Sequence, residues 1–224
     1  MLGTMCCISL LFFITSAILT RVILTYTKKE AFTSINDINR QKKKRNLILL
    51  GDSILKNNAY VNTTYSVEYL LKQHNAQQEV FCLAKDGAGI ATVYKQLANI
   101  PDRLNTNESV IFLSIGGNDL LQRNSNMDVL LEQYITFVND LQLKCGQCKI
   151  TLLNLYIPPN LKNSLLRNKI QQWNRLLKEY ALKNNMELIP LDTLLYEPND
   201  FVDNYEPSEI GGMKIVKALL YKFA

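Results

Sequence analysis

Five short apolar runs recur along the chain: NLILL (46–50), EVFCL (79–83), SVIFLSI (109–115), KITLLNL (149–155) and MELIPL (186–191). Runs of this length bounded by turn residues read as buried strands. Between them the apolar residues take helical spacing, as at Leu131, Ile135, Val138 and Leu141, and again at Leu166, Ile170, Trp173 and Leu177. These stripes read as core faces of helices. Strand, helix, strand repeated in this way has few solutions: right-handed crossovers lay the strands parallel in one sheet and place helices on both faces. The expected fold is a three-layer α/β/α sandwich with a five-stranded parallel sheet.

The first strand begins only at residue 46, and the residues before it differ in kind. MCCISLLFFITSAILTRVILTY (5–26) is apolar apart from small polar residues and Arg21, and has the length of a membrane span. No Lys or Arg precedes it and no small-x-small cleavage site follows it, which favours an uncleaved transmembrane helix over a cleaved signal peptide. Positive charge follows the run, at Arg21, Lys28, Lys29 and residues 42–45, an arrangement that places the domain on the cytoplasmic side of the membrane. The expected organisation is a membrane anchor or signal segment (1–27), a basic linker (28–45) and one globular domain (46–224). The domain, at about 180 residues, is long enough for a sizeable core. The net charge of +5 owes much to QKKKR (41–45), so it describes a solvated linker, with a juxtamembrane basic patch for anionic lipid headgroups as the alternative, and not a nucleic-acid surface on the fold.

In an open parallel sheet, functional groups gather beyond the C-terminal ends of the strands. Three strand ends carry suitable residues: GDSIL (51–55), AKDGAG (84–89) and GGNDLL (116–121). A serine at a strand end presents its hydroxyl at the rim, where a substrate reaches it. Glycines let the backbone approach a ligand closely, and an Asn beside them can donate to a developing oxyanion. Each segment alone is an ordinary turn. Three on successive strand ends make a site.

GDSIL, the Gly of KDGAG, and GGND resemble the first three sequence blocks of the GDSL esterase family, also called SGNH hydrolases. The likeness runs from about residue 46 to the C-terminus through NLYIPPN (154–160), WNRLLKEYALKNNMELIPLDTLL (173–195) and EPSEIGGMKI (206–215). It implies an SGNH, flavodoxin-like fold and hydrolysis of a carboxylic ester through an acyl-serine intermediate, on a lipid, an O-acyl sugar or a similar small ester. It also implies Ser53 as nucleophile, and an oxyanion hole from the Ser53 amide, the Gly87 amide and the Asn118 side chain. No cofactor is implied. Leu120, Leu121 and residues 158–161 are candidates to line the pocket.

The last block departs from the pattern. Where the family closes its triad with Asp-x-x-His, this chain has Asp203 and then Glu206, and it resembles a branch that carries Glu here before P-S-x-x-G-G. The chain's one histidine, His74, falls just before the second strand, at the wrong edge of the sheet for a base. Glu206 is then the expected base and Asp203 its neighbour, with like-charge repulsion and burial raising one of the two pKa values. Pro207 as a first helical residue would put Glu206 at a helix N-cap, where the dipole acts the other way. The alternative is a binding module that grips an acyl or acetyl group without turnover. Cys145 and Cys148 form one C-x-x-C with no second ligand pair, so a turn is expected there and no metal.

Overall fold

The computed structural model describes residues 20–23, 25, 45–74, 79–122, 126–203 and 205–222. Five parallel strands form one sheet in the order β2-β1-β3-β4-β5: β1 (Asn46–Gly51), β2 (Val80–Cys82), β3 (Ser109–Ser114), β4 (Lys149–Leu153) and β5 (Glu187–Ile189). Each apolar run of the sequence contributes one of them. A separate antiparallel pair, β6 (Phe201–Val202) and β7 (Glu206–Pro207), lies near the C-terminus.

The helices are α1 (Val67–His74), α2 (Ile90–Leu97), α3 (Gly117–Leu120), α4 (Met127–Lys144), α5 (Ser164–Lys183), α6 (Leu191–Leu194) and α7 (Glu209–Tyr221). They pack in two groups, α1 with α7 and α2 with α4 and α5, as right-handed crossovers on the two sheet faces require. β1 leads outward to β2 while β3 leads the other way to β4, so the strand order reverses between β1 and β3. That reversal is the topological switch point, where a crevice opens beyond the strand ends.

Two glycines fix the backbone there. Gly51 ends β1 opposite Ser114 at φ +134°, and a Cβ on it would stand 1.7 Å from the Ser114 carbonyl oxygen. Gly116, at φ +116°, lies against Trp173, whose Cζ2 would be 2.7 Å from an added Cβ. Buried Gln96 of α2 secures the same strand end: the Gly51 N–H donates to its Oε1, and its Nε2 donates to the Gly51 carbonyl, both at 2.8 Å.

The α4 stripe is displaced from the expected one. Leu131 and Ile135 are half-buried, whereas Tyr134, Phe137, Val138 and Leu141 are fully buried, because Tyr134 turns toward Trp173 in an edge-on contact at 5.4 Å. The expected membrane segment (5–26) and basic linker lie almost wholly outside the described residues, and among the described residues no helix is long and apolar enough to cross a membrane. Cys82, Cys145 and Cys148 are free thiols, and the C-x-x-C forms the turn between α4 and β4.

Candidate active site

Ser53 follows β1 by two residues and is largely buried at the crevice floor. Its hydroxyl donates to Glu206 Oε1 at 3.2 Å, across 153 positions of sequence. The N–H groups of Ser53 and Gly87 have no backbone acceptor among the described residues. Gly87 adopts φ +70° with nothing within 4 Å of an added Cβ, so its glycine serves conformation and leaves open space beside the amide.

The β2 and β3 loops are stitched together. Asn118 Nδ2 donates one hydrogen to the Ala88 carbonyl at 2.9 Å, which leaves its second N–H for a ligand. Asp119 next to it accepts from the Ile90 N–H through both oxygens, at 3.1 and 3.2 Å, and so caps α2. The Ala88–Asn118 bond thereby fixes Gly87 and Asn118 relative to one another. On the outer side, the Tyr60 hydroxyl donates to Asp86 Oδ2 at 2.9 Å and ties down the residue before Gly87.

Glu206 is not a helix cap. It belongs to β7, paired with Val202, and Ser208 caps α7 in its place by accepting from the Gly211 N–H at 3.2 Å. A serine oxygen reaches that amide from the position just before the helix, and Pro207 is left in the extended pair. With no cap to lower it, the Glu206 pKa is raised. Burial is the main cause, opposed by the Ser53 hydrogen bond and supported by the charges of Asp86 and Asp203. Asp203 is exposed at φ +49° and makes no hydrogen bond to Glu206, so it acts on Glu206 only through its charge. From the cavity side, the Tyr156 hydroxyl donates to the Tyr205 carbonyl at 2.6 Å, holding the backbone just before Glu206.

Asp52, which local sequence pattern does not mark, sits beside Ser53 and is 2 % exposed. Burial pushes its carboxyl up to about 7 against the hydrogen bond it accepts from the Ile54 N–H at 3.1 Å, and the Glu206 charge adds to the rise. His74 ends α1 at the opposite rim, and burial lowers its pKa.

Ser53, Asn118 and Glu206 open on a cavity of about 380 Å³ whose other walls include Leu121, Leu155, Pro158, Leu161, Leu166 and Ile170. Of the expected wall residues, Leu121, Pro158 and Leu161 are in place, whereas Leu120 turns into the core at 1 % exposure. Among the described residues no Lys or Arg lines this cavity. Two larger concavities, of about 600 and 730 Å³, contain none of Ser53, Asn118 and Glu206, so size alone does not mark the site. Among the described residues no group of His, Cys, Asp and Glu side chains could hold a metal ion.

Comparison with known proteins agrees with this fold. The model of the GDSL-like lipase/acylhydrolase family matches residues 49–210. A member of the lipolytic protein G-D-S-L family from Veillonella parvula superposes with a TM-score of 0.64 at 20% identity, covering 78% of this chain and 96% of that one. A lipase/acylhydrolase from Enterococcus faecalis gives 0.64 at 19%, with 80% and 94% covered. An acetyl xylan esterase gives 0.62 at 17%, with 80% and 100% covered. At these identities the structures attest the shared fold. No curated protein matches the sequence.

Proposed function

Because the chain belongs to the GDSL-like lipase/acylhydrolase family, we propose that it hydrolyses carboxylic esters through an acyl-serine intermediate on Ser53, with Glu206 as the general base. The observation that carries this reading is the 3.2 Å hydrogen bond from the Ser53 hydroxyl to Glu206 at the switch point of the sheet. As Ser53 Oγ attacks the ester carbonyl, Glu206 takes the hydroxyl proton. The carbonyl oxygen becomes an oxyanion between the Ser53 N–H, the Gly87 N–H and the free N–H of Asn118. The intermediate collapses, the C–O bond breaks, and protonated Glu206 gives its proton to the departing alkoxide. Glu206 then takes a proton from water, which attacks the acyl-serine, and the second collapse returns that proton to Ser53.

A raised pKa suits Glu206 to this role, since a base titrating closer to the operating pH holds the transferred proton better. The apolar cavity beside Ser53 supports an apolar acyl group on one side of the bond. The apolar run at 5–26 and the basic residues after it support tethering of the domain to a membrane as a single-pass protein, on its cytoplasmic face.

Covalent labelling by a fluorophosphonate tests the mechanism, because only an activated serine displaces the fluoride. Wild type labels, Ser53→Ala does not, and the mutant keeps its fold. A wild type that stays unlabelled and turns over no short-chain ester is instead a binding module, the reading that the missing histidine favours.

A further inference from the structure

Among the described residues no side chain other than Ser53 is bonded to Glu206 to orient it. Apart from the Ser53 hydroxyl on Oε1, its carboxylate makes no hydrogen bond, and Oε2 is buried without a partner among the described residues. The strand that carries Glu206 is held from elsewhere. Immediately before β6 comes Asp200, whose side chain is completely buried. A buried carboxylate must be paired and hydrogen-bonded. Lys214 Nζ lies 2.7 Å from Asp200 Oδ1 and 3.0 Å from Oδ2, and the Tyr196 and Glu197 amides each donate to Oδ2 at 3.0 Å. Lys214 further reaches Glu197 Oε2 at 3.1 Å and stands 5.3 Å from the centre of the Tyr196 ring.

The same residue closes the other end of the pair. The Asp200 carbonyl accepts from the Ser208 N–H at 2.8 Å, directly after β7, and the Ser208 hydroxyl donates to the Asn199 carbonyl at 2.6 Å. Lys214 belongs to α7, and α7 approaches so closely that a Cβ on Gly211 would stand 2.2 Å from the Asp200 carbonyl oxygen. Asp200 therefore joins three things: the chain entering β6, the chain leaving β7, and the helix that backs both.

We propose that Asp200 and Lys214 are positioning residues, their partly buried ion pair setting the Glu206 carboxylate against the Ser53 hydroxyl by fixing the β6–β7 pair on α7. The catalytic consequence rests on Glu206 being the base. Neither residue touches substrate. Their work is the orientation that a triad usually obtains from a side chain bonded to its base.

The full chain is compared with Lys214→Met, which removes the charge at similar length, and with Lys214→Arg, which keeps it. Fluorophosphonate labelling, short-chain ester kinetics and titration of the Glu206 carboxyl by ¹³C NMR are the readouts, with emission of the single tryptophan, buried Trp173, reporting the fold. Lys214→Met is expected to slow labelling and kcat at least tenfold with KM within twofold, and to bring the Glu206 titration down toward the ordinary carboxylate range as the side chain leaves its buried place. Lys214→Arg should recover most of the rate. If Lys214→Met does not fold, Lys214→Gln, which retains an N–H donor for Asp200, takes its place under the same readouts. Labelling at the wild-type rate with an unmoved Glu206 titration overturns the proposal. So does a loss carried by KM alone. If wild type itself does not label, the base reading falls, and the Glu206 titration in the Lys214 variants still decides whether the pair places this side chain.

Discussion

Replacing Asp52 by Asn should abolish the pH dependence of stability that this one carboxyl imposes. The Asp52 pKa stands at about 7 in the folded protein against a reference of 3.8, chiefly because the group is buried. The gap is roughly three units, and at about 1.4 kcal/mol per unit it corresponds to about 4 kcal/mol. The sign follows from proton counting. Between about pH 4 and pH 7 the folded state keeps a proton that the unfolded chain has lost, so the unfolded state binds fewer protons and stability falls as pH rises through that window. Above it the loss is complete and constant. Asn cannot ionise, yet its Oδ1 can still accept from the Ile54 N–H that Asp52 now holds at 3.1 Å. Urea unfolding of both proteins at half-unit steps from pH 4 to pH 8 measures the effect. The difference in unfolding free energy should grow in favour of Asp52→Asn by up to about 4 kcal/mol across the range. Parallel profiles would refute the reasoning, because they would mean that Asp52 ionises as readily in the folded protein as in the unfolded chain.

Glu206→Gln keeps the shape but cannot take a proton, so ester turnover should drop by about 100-fold or more. In wild type the rate should rise with pH through a limb above the ordinary carboxylate range, as the raised Glu206 pKa requires, and then level off; the variant should lack that limb. Asn118→Ala should lower kcat by about 100- to 1,000-fold, and a loss under about threefold would remove Asn118 from the oxyanion hole. Full-length protein should remain in the membrane fraction through alkaline carbonate extraction, whereas recovery of a mature chain starting shortly after residue 20 would identify residues 5–26 as a cleaved signal.

The sheet was legible because its central strands β1, β3 and β4 are buried on both faces and read as apolar runs, and because Ser53 and Asn118 follow two of those runs directly. Ser53, Gly87 and Asn118 fall where strand-end logic puts them. Other features were hidden for physical reasons. Lys214 and Asp200 look like surface charges in a one-dimensional reading, and only the packing of α7 against the turn at 198–200 brings half-buried Lys214 onto buried Asp200. Tyr60 and Asp86 meet across two loops whose shapes no periodicity encodes. Asp52 reads as a turn residue because burial of a carboxyl leaves no local pattern. The expected cap at Glu206 failed because Pro207 suits an extended pair as well as a first helical turn, and Ser208 was the better cap.

A carboxylate in the place of an imidazole changes what the third member of a triad is needed for. With histidine, the Asp behind the base fixes the tautomer and stabilises the imidazolium that forms. Glu206 has two equivalent oxygens, no tautomer to fix, and no cation to stabilise when it is protonated. A carboxylate bonded behind it would only repel its charge and drive it to keep a proton permanently. Asp203 is placed consistently with this, exposed to solvent and unbonded to Glu206, where its charge lifts the Glu206 pKa without closing a hydrogen bond. Asp203→Asn tests the difference, and the site tolerates it, because Asn adopts the φ of +49° found there with little strain. The acidic limb of the rate profile should move to lower pH while the plateau rate stays within about threefold, since the base is freed of one repulsion and keeps its position. A plateau loss of about 100-fold or more would show that Asp203 serves as an orienting member of the triad after all, and that the exposed conformation is not the one that reacts.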